Sequence, residues 1–388
     1  MWFVVFGLLG RPRGTNHKPS QAPRYTPHMA SDTALRTPLY DAHVAAGGRM
    51  VEFAGYSMPV QYTGVIAEAK AVRDGAGMFD VSHMARLWFR GARTAEFLEW
   101  ITSNDVSKLE DGRGQYSLLP NERGGLVDDI IVYRVSAEVF RMVVNASNHA
   151  KDVAWISRQN RFGVEIEDET ERTAMIAVQG PKAAEILAGM CDRPDALREG
   201  PMFSLHNVAI AGVSCFAPRS GYTGEDGFEL ICATEDAPRL WDALAAAGVV
   251  PCGLGSRDTL RVEAGLPLYG HELGDDLNPI AAGLGWVVGK TKEFIGSGPI
   301  NAARASGTPR KLQGVRLESK RLPMPEMEVF VEGAKVGDVT SGVYSPALEC
   351  GIGYAYVDAA VKQGTPCTVD VRGKHEPGVI VNKRFLKR

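Results

Sequence analysis

From about Lys311 to the C-terminus the chain carries short β-rich runs with Gly and Pro between them and no helix of length, and this constrains the fold more than any other feature. The runs are residues 313–317, 328–331, 335–340, 351–357, 367–371 and 378–381. Short strands in close succession leave edges that must be closed or covered. A small all-β barrel or sandwich over residues 311–388 meets that demand. Residues 297–310, with a short helical stretch and the run Ser306-Gly307-Thr308-Pro309, read as the linker into it.

The preceding stretch, residues 31–296, is patterned differently. Thr37-Pro38 opens a short helix, with Thr as the cap and Pro in the first turn. Apolar residues recur at helical spacing over 94–102. The cluster Asn121 to Gly125 is a turn. Residues 126–135 and 140–144 read as strands, and 148–159 as a helix. The pattern then resembles itself, with strands at 174–178, within 208–216 and at 228–232, and helices at 181–190 and 236–247. Hairpin-type turns outnumber crossovers, so the expected class is α+β, multidomain, with mainly antiparallel sheets and flanking helices. The 388 residues suit two or three domains, with 31–296 forming two interleaved subdomains.

Net charge is −3 and the isoelectric point about 6.3, which supplies no field for nucleic acid or an anionic membrane. The cysteines stand apart, with no C-x-x-C pair and no His at zinc spacing, so no metal is expected and the thiols read as free. Residues 1–30 read as a disordered or non-native extension. The apolar run Trp2 to Leu9 is too short to span a bilayer, and residues 10–30 lack acids. Met29 is an alternative start. A cytoplasmic location is expected, with the mitochondrial matrix as the alternative if the extension is a transit peptide.

Several motifs fail on inspection. No G-x-G-x-x-G follows a strand. Gly285 to Thr291 has three residues between its glycines where a phosphate-binding loop has four. His271-Glu272 lacks the second His of a zinc-protease helix, and there is no G-x-S-x-G elbow. Asn145-Ala146-Ser147 matches a glycosylation sequon, which means little without a secretory signal.

Four segments hold chemistry-bearing side chains. Asp128-Asp129 opens an apolar strand, where neighbouring side chains point to opposite faces and the two acids do not serve one site equally. The ordinary reading is a turn acid beside a solvent-facing one. The alternative is one acid aimed into a cavity, since acids in a buried strand are costly unless paired or used. Gly221 to Glu229 is an Asp-Gly hairpin turn in the ordinary reading. In the other, Glu229 accepts hydrogen bonds from the edge of an aminopyrimidine-like ring. Arg257 and Arg261 are four apart on a helix and share a face that either binds carboxylate or is solvated. His83 is a general base or a core His, and Trp286 is core or a stacking plate.

Taken in order, Arg36-Thr37-Pro38-Leu39-Tyr40, Phe79-Asp80-Val81-Ser82-His83-Met84, Gly125-Leu126-Val127-Asp128-Asp129, Gly221-Tyr222-Thr223-Gly224-Glu225, Gly255-Ser256-Arg257-Asp258-Thr259-Leu260-Arg261 and Thr340-Ser341-Gly342 resemble the glycine cleavage T-protein family. The resemblance runs from about Arg36 to the C-terminus. It implies three domains around a central folate channel, the last a β-barrel. It also implies aminomethyl transfer from lipoylated H-protein to tetrahydrofolate, taken as substrate. Asp129 is then the catalytic position. Glu229 and Arg257 are folate-binding positions, and Asn145, Met84, Trp286 and Tyr222 line the pocket. The tail departs from the family pattern: Lys383-Arg384-Phe385 lacks the usual Pro, which puts a folate contact from the tail in doubt. Alternatives are another tetrahydrofolate-dependent demethylase, or a non-catalytic folate-binding protein, whose Lys-Gly-Cys-Tyr-type motif is missing here.

Overall fold

The computed structural model describes residues 34–386. The expectations about residues 1–30 and the alternative start at Met29 lie outside the described residues.

Two antiparallel sheets form the body. In one, five strands run in the order Arg113–Pro120, Leu126–Ser136, Val139–Val144, Ala85–Arg90, Glu165–Asp168. In the other, six run in the order Leu205–Ile210, Val213–Pro218, Gly227–Ala233, Thr173–Gln179, Gly77–Asp80, Val250–Pro251, and only the last pairing is parallel. Each sheet buries its outer face under helices. Thr94–Ile101 and His149–Gln159 cover the five-stranded sheet through Phe97, Leu98, Trp155 and Ile156. Ala183–Gly189 and Ala237–Ala246 cover the six-stranded sheet through Leu187, Leu240 and Trp241. A third core joins the inner faces, where Tyr133 and Val143 of one sheet meet Phe79, Met175, Phe216 and Ile231 of the other.

The first helix begins at Tyr40, later than its Thr-Pro signal suggests. Thr37 Oγ1 accepts from Leu39 N at 3.3 Å in the turn before that helix and also donates, buried, to Asp80 Oδ2 at 2.6 Å, and His43 Nε2 meets the same oxygen at 2.9 Å.

The helix Ser297–Ser306 leads into a closed six-stranded barrel that begins at Arg310 and ends with His375–Val381. The barrel is bolted to the body by the helix Leu254–Ala264. Arg261 is fully buried and donates to Asp258, Glu272 and Ser341 at 2.8, 3.0 and 2.8 Å. Glu263 accepts from Ser345 and Arg73. The chain beyond the barrel folds back onto the body, where Phe385 N and Leu386 N both donate to Glu263 O at 3.0 Å. No helix among the described residues is long and apolar enough to cross a membrane.

Candidate active site

Strand pleat explains which side chains meet. In Leu126–Ser136, Ile130 and Val132 pack under the helices, so Asp129, Ile131 and Tyr133 point inward between the sheets. In Gly227–Ala233, Phe228, Leu230 and Cys232 face the helices, so Glu229 and Ile231 point inward. Asp129 and Glu229 thereby line one cavity of about 250 Å³. Its lining also includes Met84 and Asn145 from the five-stranded sheet, Tyr222 and Arg257, and Trp286 at the rim. The seven residues that the family resemblance assigns to catalysis and folate binding therefore line one cavity.

The two adjacent acids sit on opposite faces, as a pleat requires, yet they are connected. Asn145, just past the end of the neighbouring strand, donates from Nδ2 to Asp128 Oδ1 and to Asp129 Oδ1, each at 2.9 Å. Asp128 is 0% exposed and accepts further bonds from Asn145 N at 2.9 Å and Asn148 Nδ2 at 2.6 Å. The reading of a turn acid beside a solvent-facing acid is thus overturned. The other oxygen of Asp129 accepts from Tyr116 OH at 3.0 Å. Burial pushes the Asp129 carboxyl up to about 7, the Asp128 charge adds to the rise, and the bonds from Tyr116 and Asn145 offset part of it. A carboxyl that titrates near neutrality is suited to taking and returning a proton.

Glu229 accepts from Ser220 Oγ at 2.6 Å, and Ser220 in turn accepts from Tyr133 OH at 3.1 Å. Burial raises its pKa, and the Ser220 bond and the Arg257 charge act against that rise. The Asp226-Gly227 turn joins two antiparallel strands as expected, and it also delivers the buried Glu229 carboxyl. At Gly221 a Cβ would lie 1.8 Å from Gln179 Oε1, so any side chain there would displace the Gln179 amide from its bonds to Ser220 O and Thr223.

Arg257 and Arg261 do not serve one site. Arg261 is spent on the barrel contact. The Arg257 guanidinium lies 4.6 Å over the Tyr222 ring and, among the described residues, makes no hydrogen bond or ion pair. Tyr222 is itself fixed by a hydrogen bond from its hydroxyl to Pro267 O. Trp286 is neither core nor free: it is 71% exposed, and its ring stacks on Tyr116 with centroids 6.0 Å apart.

His83 does not line the cavity. Its ring is buried edge-on to Phe53, Nδ1 has no partner, and burial pushes its pKa down to about 4, so it stays neutral. The Asn145 sequon is not available for glycosylation, since its amide is committed to the two acids. The Gly285 to Thr291 segment forms a short turn at residues 285–287 with no following helix to cradle phosphate.

Sequence reasoning missed Tyr116 and Lys383. Tyr116 is one aromatic among several in a strand, and only its register with Ile131, on the strand that carries Asp129, places it. Lys383 was discounted with the tail, yet the fold-back brings it to the cavity wall, where Nζ donates to Ala282 O at 2.8 Å. Burial lowers its pKa to about 8. The tail is anchored through its backbone to Glu263 O, a contact that needs no Pro. Among the described residues no group of His, Cys, Asp and Glu is placed to hold a metal.

The cavity thus gathers a buried carboxyl titrating near neutrality, a second buried carboxyl opposite it, an arginine and aromatic walls. Comparison with known proteins places the chain in a family. Residues 39–292 match the GCVT N-terminal domain, and residues 310–387 match the glycine cleavage T-protein C-terminal barrel domain. The chain is 48% identical over 353 residues to an aminomethyltransferase of Thermus thermophilus, covering 90% of this chain and 99% of that protein. An aminomethyltransferase of Geobacillus kaustophilus is 44% identical over 360 residues, covering 91% and 98%. A crystal structure of the glycine cleavage system aminomethyltransferase T from Bartonella henselae superposes with a TM-score of 0.84 at 32% identity, covering 91% of this chain and 98% of that one. The chain belongs to the glycine cleavage T-protein family, and its activity is aminomethyl transfer.

Proposed function

We propose that the cavity binds tetrahydrofolate as substrate and receives the aminomethyl group from the dihydrolipoyl arm of H-protein. The observation that carries this reading is the Asp129 carboxyl, held by Tyr116 and Asn145 inside an enclosure that also holds Glu229 and Arg257. The residues suit the ring. Glu229 offers a carboxylate to the N–H edge of an aminopyrimidine, Arg257 offers unpaired N–H groups to an acceptor, and Tyr222, Met84 and Trp286 supply flat or soft walls.

The transfer breaks the C–S and C–N bonds of the aminomethyl group and forms C–N bonds to both folate nitrogens. The products are 5,10-methylenetetrahydrofolate, ammonia and dihydrolipoyl H-protein. The two N–H protons of folate end on sulfur and on the departing ammonia. Asp129 orients the reacting nitrogen, takes its proton and assists its delivery to the leaving amine. The apolar and aromatic lining limits the water that reaches the reactive carbon. A cytoplasmic setting, where the two substrates meet this protein, belongs to the same proposal.

The test is direct. Purified protein given tetrahydrofolate and aminomethylated H-protein releases ammonia, and release no faster than without the protein rejects the reading. Asp129→Ala lowers turnover by about 100-fold or more while tetrahydrofolate still binds. Wild-type turnover in that variant shows the role of Asp129 to be misassigned.

A further inference from the structure

Behind the cavity, on the helix-covered face of the same strand, lies a second buried carboxyl that the reaction above does not use. Asp152, in the helix His149–Gln159, is 0% exposed, and neither of its oxygens receives a hydrogen bond from any N–H or O–H donor. Its neighbour is Asp128, on the strand that this helix covers: Asn148, one helical turn before Asp152, donates to Asp128 Oδ1 at 2.6 Å, and the Asp128 charge acts on the Asp152 carboxyl. Two carboxyls buried side by side without a counter-charge do not both ionise, so one of them keeps a proton to share with the other. Donor counting places the proton. Asp128 already accepts three bonds, from Asn145 N, Asn145 Nδ2 and Asn148 Nδ2, all of which favour its anion. Asp152 accepts none. The proton therefore belongs to Asp152, and its O–H donates to Asp128.

We propose that Asp152 is a positioning residue, held as the neutral acid, whose O–H bond to Asp128 fixes, through Asn145, the aim of the Asp129 carboxylate. The link is geometric. Asn145 Nδ2 has two hydrogens, one directed to Asp128 Oδ1 and one shared between Asp129 Oδ1 at 2.9 Å and Asp129 O at 3.2 Å. An anchored Asp128 anion holds the amide in that orientation and keeps one donor on Asp129 Oδ1. A neutral Asp152 also keeps the pair at a single negative charge, so the cavity carboxyl is repelled by one neighbour and not by two.

The groups facing Asp152 agree with this. The charge of Asp128 on the facing strand and, more weakly, that of Asp129 on the strand's other side favour its protonated form. Lys151 on its own helix opposes that but is turned to Tyr269 OH at 2.7 Å and lies 3.6 Å from Asp275. Burial and the Asp128 charge together push the Asp152 carboxyl up to about 11.

The inference rests on the proposed role of Asp129, so the experiment separates the two. Asp152→Ala removes the donor, and Asp152→Asn supplies an N–H in its place. Both are assayed per folded enzyme, with tetrahydrofolate binding as the control. Asp152→Ala is expected to lower kcat about ten-fold with KM for tetrahydrofolate little changed. Asp152→Asn recovers most of that loss, with the acid limb of its pH profile where the wild type has it. Wild-type kcat in Asp152→Ala overturns the proposal. So does an acid limb in Asp152→Asn displaced downward by about one pH unit or more, the sign that an ionised Asp152 had been removed. Should Asp152→Ala fail to fold, carbon-13 labelling of the Asp carboxyls decides the matter in the wild type, because an Asp152 signal that ionises below neutral pH overturns it. That last measurement does not depend on what Asp129 does. Failure of the Asp129 role appears separately, as turnover in Asp129→Ala.

Discussion

Replacing Asp129 by Asn should make the protein more stable and nearly inactive, with the stability gain growing with pH. The folded state holds this carboxyl at about 7 against a reference value of 3.8. A carboxyl raised in this way binds its proton more tightly in the folded than in the unfolded chain. The penalty for ionising it in place is absent below the unfolded value, grows as pH rises, and is complete above the folded value. About three pH units correspond to about 4 kcal/mol. The exchange of an acceptor oxygen for an amide N–H facing Asn145 lowers the gain by an amount that does not depend on pH. A growth of about 2.5 kcal/mol in the stability difference between about pH 5 and about pH 8 is the expected outcome. Urea unfolding of both proteins at the two pH values, followed by circular dichroism, measures it. A stability difference that does not change with pH refutes the reasoning, because Asp129 would then ionise as an ordinary surface carboxyl and have no special capacity to move a proton at neutral pH. The trade is the usual one at an active site, where the group that performs the chemistry is held in an environment that opposes its charge.

Tyr116→Phe removes the hydroxyl that favours the Asp129 anion, so the acid limb of kcat/KM should move up by about one pH unit, read from pH–rate profiles; a downward movement contradicts the assigned hydrogen bond. Arg257→Ala and Arg261→Ala should part company although they are one helical turn apart. The first should raise KM for tetrahydrofolate about ten-fold with thermal stability retained. The second leaves Glu272 buried and unpaired and should cost about 3–5 kcal/mol of stability by denaturant unfolding. Trp286→Ala, at an exposed position, should change stability by less than about 0.5 kcal/mol yet weaken folate binding measured by titration calorimetry.

Much of the secondary structure is legible in the sequence, and the reasons are local. Alternating and runs-of-apolar patterns place strands at 126–135 and 140–144, close to the observed Leu126–Ser136 and Val139–Val144. The six C-terminal runs all became barrel strands. Where the reading went astray, the cause lay in partners distant in sequence. Thr37 showed only its local role at the helix start, because Asp80, to which its hydroxyl also donates, is 43 residues away. Arg257 and Arg261 looked equivalent because helical spacing reports a shared face and nothing about what that face meets. Tyr116 and Lys383 carried no signal, since an aromatic in a strand and a lysine near a terminus are common everywhere.

The residues by themselves determined the pleat and helical periodicities, hence the elements, the α+β class and the barrel, and also that Asp128 and Asp129 point to opposite faces. Their order along the chain was enough to identify the family. Only the tertiary structure decided that the inner face of one sheet brings Asp129 into one cavity with Glu229 of the other, that Asn145 joins two acids pointing apart, and that Asp152 closes the set from behind. Periodicity is set by bonds between near neighbours and is written in the sequence. Burial, and with it the ionisation of each carboxyl, depends on which distant segments exclude water from it, and that is settled only when the sheets, helices and barrel have packed.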